Sequence, residues 1–188
     1  MSKRVLIGGI GNVLLGDDAV GPYVVRLLES RYSFGDEVEI ADLGTPALDL
    51  THRIAGLQAV IFVDCVVADE HPPGAILLYR KDDIISVQPV QRVDPHSPAL
   101  SECLMTADML GDSPEHVALI GVVGECFEPG SALTPAVEHA ANEVISRILA
   151  DLARLDIPYE PRRFNSSPLI WWSDRSQAAC DGDQSHIV

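Results

Sequence analysis

The chain has 188 residues, 47% of them hydrophobic, and a formal charge of −15 from 28 acids against 13 lysines and arginines. That size and apolar content suit one globular domain with a substantial core, while the negative field repels nucleic acid and anionic lipid and favours a cation or a basic partner segment. No apolar run approaches a membrane span, and the opening Met-Ser-Lys-Arg leads into a strand without a signal-peptide core, so the sequence predicts a cytoplasmic protein with no membrane insertion.

The first pattern is an apolar run, Val5 to Ile7, followed by the glycine-rich stretch Gly8 to Gly21. A strand, a glycine loop and a helix opening at Gly21-Pro22 are expected, because proline early in a helix loses no needed N–H. This layout invites a dinucleotide-binding reading. Gly9 and Gly11 fit that fingerprint, but its third glycine position is Leu14. Asp17 and Asp18 also set two negative charges where a phosphate would sit. A cation or a polar peptide suits the loop better, although either acid could instead favour the helix N-terminus electrostatically.

Tyr23 to Arg31 carries Val24, Leu27 and Leu28 at helical spacing. A short strand over Glu37 to Ala41, a turn through Asp42-Leu-Gly44-Thr45-Pro46 and a helix from Ala47 to Ala55 follow. Ala59 to Val63 is apolar on both faces, as a central parallel strand requires, and it ends on Asp64. In open α/β sheets ligands bind outside the carboxyl ends of the strands, which makes Asp64 a candidate partner for the first loop; capping of a turn is the alternative. Cys65 reads as a packing residue. With Cys103, Cys126 and Cys180 it forms no Cys-x-x-Cys pair, so free thiols are expected.

Ala75 to Tyr79 reads as an antiparallel edge strand, its connection being too short for a helix, and residues 81 to 95 read as irregular. Ser97-Pro98 opens a helix with Leu100, Cys103, Leu104, Ala107 and Leu110 on one face and Gly111 as its stop. His96 thus precedes a helix, and Glu102 is a weaker polar candidate beside it. The other histidines lack comparable settings. Glu115 to Val123 is a further buried strand, and Thr134-Pro135 starts the longest helix, ending near Asp156. Beyond Pro158 periodicity breaks. The fold class expected is α/β: a single-domain three-layer sandwich over residues 1–157 with a mostly parallel sheet of about five strands, then a partly or wholly irregular tail, 158–188.

Two acids at strand ends and one histidine at a helix entrance make an oxygen and nitrogen donor set suited to a divalent metal. There is no Gly-x-Ser-x-Gly elbow, no His-Glu-x-x-His helix and no Walker loop. Taken in order, Gly9 to Gly21, Asp42 to Thr45, Asp64, His96, Gly121 and Leu133-Thr134-Pro135 resemble the motifs of the hydrogenase maturation proteases, over residues 3 to 155. These are endopeptidases that remove a C-terminal extension from the nickel-loaded large subunit of nickel–iron hydrogenases.

The resemblance implies that Asp18, Asp64 and His96 contact nickel; of these, Asp18 or Asp64 is the carboxylate expected to orient the attacking water. It implies that Asp42, Gly44 and Thr45 bind substrate. The nickel would arrive in the large-subunit precursor rather than reside in the protease, and a monomer is expected. A non-cleaving module that binds a metal centre, a related α/β peptidase with another substrate, and a nucleotide-binding α/β protein are the alternatives.

Overall fold

A computed structural model describes residues 4–45, 50–86, 97–163, 168, 170 and 172, with the backbone alone for 97–99. The elements run β1 (Val5–Ile10), a 3-10 turn (Gly16–Ala19), α1 (Val20–Arg31), β2 (Tyr32–Phe34), β3 (Val38–Gly44) and α2 (Leu50–Ile54). They continue as β4 (Ala59–Val66), β5 (Ile76–Arg80), α3 (Lys81–Ser86), α4 (Ser97–Leu110), β6 (His116–Val123), α5 (Pro135–Arg154) and β7 (Tyr159–Pro161).

The main sheet has five strands in the order β3-β1-β4-β6-β5. β1 pairs in parallel with β3 and β4, and β4 with β6, whereas β5 lies antiparallel to β6 at the edge. This is the α/β sandwich expected. Strand alternation splits its core in two. Val5, Ile7, Ile61, Val63, Ile120 and Val122 pack under α1 and α5. Leu6, Val60, Phe62, Val117 and Leu119 pack under α2, α3 and α4. The central strands are therefore apolar at nearly every position, as a sheet covered on both faces demands.

Glycine decides how closely α1 approaches β1. A Cβ on Gly9 would lie 2.3 Å from the Gly21 carbonyl oxygen, and one on Gly21 only 2.1 Å from that of Ile10. These two glycines face each other across the helix–sheet contact, which holds the 3-10 turn against the sheet's carboxyl edge.

Several boundaries differ from those the sequence suggests. Asp42 to Gly44 complete β3 rather than forming a turn, because they continue the pairing with β1 as far as Ile10. The helix opens at Val20, two residues before Pro22, since the 3-10 turn already carries the chain into helical geometry. Residues 81–86 are helical, with Ile84 buried beneath α4. Leu110 is exposed, lying past the last turn that faces the sheet. Of the helix expected from Ala47, Leu50–Ile54 is described, and 46–49 lie outside the described residues.

Tyr159–Pro161, in the stretch read as tail, pairs antiparallel with β2, and Tyr32, Phe34 and Tyr159 cluster there, Tyr32 meeting Tyr159 edge to face. Such short strands carry too little alternation to be seen in sequence. Trp172 is buried. Cys65 and Cys103 are in no disulfide but Cys126 is disulfide-bonded, a departure from the expected set of reduced cysteines.

Gly9→Ala or Gly21→Ala is expected to destabilise the protein by about 3 kcal/mol, because backbone must move to admit the methyl group. Gly56→Ala, at φ +69° with open space around the new Cβ, should cost only about 1 kcal/mol from left-handed backbone strain. Urea unfolding of the three variants checks the ranking.

Candidate active site

The two adjacent acids of the first loop have different environments. Asp17 is wholly buried, and its carboxylate accepts four hydrogen bonds. Oδ2 takes the N–H groups of Glu125 (2.9 Å) and Cys126 (3.1 Å) and the Thr134 hydroxyl (3.1 Å), and Oδ1 takes the Thr134 N–H (2.7 Å). In return the Asp17 N–H donates to the Cys126 carbonyl at 2.8 Å. One carboxylate therefore fastens the 3-10 turn to the whole β6–α5 loop. Helix-dipole stabilisation, the simple sequence-level account, does not describe it, since its partners come from more than a hundred residues away.

Asp18 faces another way. It is 7% exposed, and its Oδ2 accepts the Asn12 N–H at 2.8 Å. Its backbone explains Gly11, which sits at φ +134°, where a Cβ would lie 1.8 Å from the Asp18 carbonyl oxygen. The glycine loop is thus wrapped around Asp18 itself, and no pyrophosphate is needed to account for its glycines.

Asp64 is 4% exposed at the carboxyl end of β4, with Oδ1 accepting the Cys65 N–H at 2.8 Å. Gly9 pairs with Val63, so the next step along the ladder sets Asp64 beside Ile10 and the start of the Asp18 loop. Alternation assigns Asp64 to the face of Val60 and Phe62, the face covered by α4. Because α4 runs on through Gly111 to the amino end of β6, its first residue, Ser97, begins at the carboxyl edge. The fold brings two buried carboxylates and the α4 entrance to one edge of the sheet, at adjacent strand ends, where open α/β sheets bind ligands.

His96 lies outside the described residues. Among the described residues no three His, Cys, Asp or Glu side chains gather as a metal-holding group. Glu102 is exposed on α4. At the end of β3, Asp42 is exposed and its Oδ1 accepts the Gly44 N–H at 3.0 Å. Gly44, at φ +54°, accepts the Gly11 N–H at 2.9 Å, and Thr45 beyond it is exposed. This segment is tied to the same glycine loop and flanks the acids.

Sequence reasoning missed the tie made by Asp17 and Thr134. The available signal was the pairing of two adjacent acids with a distant Thr-Pro helix start, because two carboxylates in one loop need separate partners when both are buried. It also passed over His116, whose Nε2 stands 3.8 Å from the Asp151 carboxylate, itself 3.9 Å from Arg80 and 3.4 Å from Arg154. That ionic cluster joins β6 to α5 at the opposite end of the sheet.

An open, mostly parallel sheet with buried carboxylates at its carboxyl edge defines an α/β protein with a compact polar reaction site. The chain belongs to the hydrogenase maturation protease family, whose model matches residues 22–151. It is 33% identical over 159 residues to the hydrogenase 2 maturation protease of Escherichia coli K12, covering 85% of this chain and 96% of that protein. It is 33% identical over 136 residues to the hydrogenase expression/formation protein HupD of Bradyrhizobium diazoefficiens, covering 72% and 70%. The solved hydrogenase maturating endopeptidase HybD of E. coli matches with a TM-score of 0.78 at 32% identity, over 85% of this chain and 98% of that one. The protein is accordingly a hydrolase, an endopeptidase of the family that cleaves the C-terminal extension of hydrogenase large subunits. No helix among the described residues is long and apolar enough to cross a membrane.

Asp17→Ala strands the buried N–H groups of Glu125, Cys126 and Thr134 and is expected to cost about 3–5 kcal/mol. Urea unfolding measures the loss, and Asp42→Ala, exposed at the end of β3, should change stability by less than about 0.5 kcal/mol.

Proposed function

We propose that this endopeptidase reads a nickel ion already seated in a hydrogenase large-subunit precursor, through Asp18, Asp64 and His96, and then removes the precursor's C-terminal extension. The nickel is cargo of the substrate. The observation that carries the reading is the burial of Asp18 and Asp64 at neighbouring strand ends on one edge. Two carboxylates held so far from water gain most from a cation delivered to them. His96, one residue before α4, completes a set of oxygen and nitrogen donors suited to a divalent first-row metal.

Loading is checked by the same contacts. A precursor without nickel brings no cation to these donors, and its scissile bond is not drawn into register. With the bond in place, Asp18 or Asp64 orients a water molecule toward the scissile carbonyl and takes its proton. The proton passes to the departing amine as the C–N bond breaks, and the nickel or His96 stabilises the charge developing on the carbonyl oxygen. Asp42, Gly44 and Thr45, beside the acids, contact the arriving chain. In this reading residues 1–157 form the catalytic unit, residues 158–188 are an appended segment, and the protein acts as a cytoplasmic monomer.

The test is mass spectrometry of nickel-loaded and nickel-free large-subunit precursor after incubation with the protein and its variants. Release of a C-terminal peptide from the loaded precursor alone is the expected result, with His96→Ala and Asp64→Asn slower by about a hundredfold or more. Full cleavage by Asp64→Asn would remove Asp64 as the base. A stable complex with intact precursor would replace the peptidase reading by one of metal-centre binding.

A further inference from the structure

Seven large apolar side chains are exposed among the described residues, and three of them stand on loops at the carboxyl edge: Leu14 (43%), Val67 (39%) and Phe127 (40%). They come from the ends of three different strands, yet the backbone draws them around a single point. The Gly130 N–H donates to the Leu14 carbonyl at 2.8 Å, and the Gly124 N–H to that of Val66 at 3.1 Å. Gly124 lies under the Phe127 ring: a Cβ there would come within 2.9 Å of Phe127 and 3.1 Å of the Asp17 side chain. The three apolar groups therefore ring the loop that Asp17 fastens, next to Asp18.

The surroundings of this patch are acidic. Asp69 and Glu70 follow Val67, and Glu125 and Glu128 flank Phe127, all four exposed. Glu125 lends its N–H to Asp17 while its side chain faces water. Exposed apolar groups held by a rigid frame and rimmed by one sign of charge mark an interaction surface rather than scattered surface residues. The complementary partner carries apolar side chains together with lysine or arginine.

We propose that Leu14, Val67 and Phe127 dock a segment of the large-subunit precursor adjoining the scissile bond, a segment that combines apolar and basic residues, with Glu125 and Glu128 reading its positive charge. The inference rests on the peptidase reading above and adds to it the surface that grips the chain while the acids read the metal. Docking at this patch supplies binding that does not depend on nickel, so its loss raises KM and leaves the chemical step alone.

The experiment measures kcat and KM for cleavage of nickel-loaded precursor by the unmodified protein, Leu14→Ser, Phe127→Ser, the double variant Glu125→Gln/Glu128→Gln, and Met109→Ser. Met109, 87% exposed on α4, is the remote control. Leu14→Ser and Phe127→Ser should each raise KM by about tenfold with kcat within about twofold. KM of the unmodified protein should rise with salt, and that dependence should weaken in the glutamine variant. The glutamine changes lie in exposed side chains, so this arm stands even where an apolar variant folds poorly. Unchanged KM in both serine variants, or a salt dependence identical in the glutamine variant, overturns the docking surface and leaves the peptidase reading intact. Failure of the unmodified protein to cleave loaded precursor overturns both.

Discussion

The Asp17 carboxylate, buried and saturated by donors from the β6–α5 loop, is the constraint on which the site depends. A charge inside a protein is tolerated only where hydrogen bonds replace its water. Here the replacement comes from three backbone N–H groups and one hydroxyl, all on a segment distant in sequence. Because the donors are main chain, the loop cannot drift without exposing them, and the 3-10 turn cannot drift without exposing the acid. The neighbouring residue, Asp18, is thereby held by a frame that includes both the first and the last parallel βα connections of the sheet.

The glycines serve the same frame from the other side. Gly9 and Gly21 allow α1 to lie against β1, and Gly11 lets the loop fold over the Asp18 backbone. In a dinucleotide-binding protein such glycines make room for a ligand's phosphates. Here the space they leave is filled by the protein's own main chain, which wraps around the buried residue Asp18. Family membership agrees with this difference: the chain is a maturation protease, and the acids that disfavour a phosphate suit a positively charged target.

An endopeptidase that removes a C-terminal extension from a large protein has different needs from a digestive enzyme. The shallow edge of a sheet, unlike a deep cleft, can meet a large protein surface, and specificity then has to come from a few fixed groups. In the proposed reading, buried acids that meet a metal and an apolar, acid-rimmed patch that grips the chain divide that work between chemistry and docking. Their physical connection is direct, since the Asp17 tie positions both the Asp18 loop and the loop that carries Phe127.

The layers of the fold were legible in the sequence, although the exact strand ends were not: β3 runs on to Gly44 and β4 past Asp64 to Val66. Runs such as Ala59 to Val63, apolar at both parities, admit only a sheet covered on both sides, and that cover extends past Asp64 to the buried Cys65. The period of α5 and its Thr-Pro start are equally local. The motifs from Gly9 to Thr134 made the family legible, with Asp18 and Asp64 as candidates, because metal and water chemistry restricts residue type at fixed spacing. The resemblance singled out Asp18, but the role of its neighbour came from the tertiary structure: Asp17 is saturated by donors from a loop more than a hundred residues away. Tertiary contact likewise decided that Asp42 to Gly44 complete a strand, that Tyr159–Pro161 pairs with β2, and that the loops carrying Leu14, Val67 and Phe127 are tied together by backbone hydrogen bonds. Each of these depends on partners far along the chain, and hydrogen bonding or shared burial across such separations leaves no periodic trace in the local sequence.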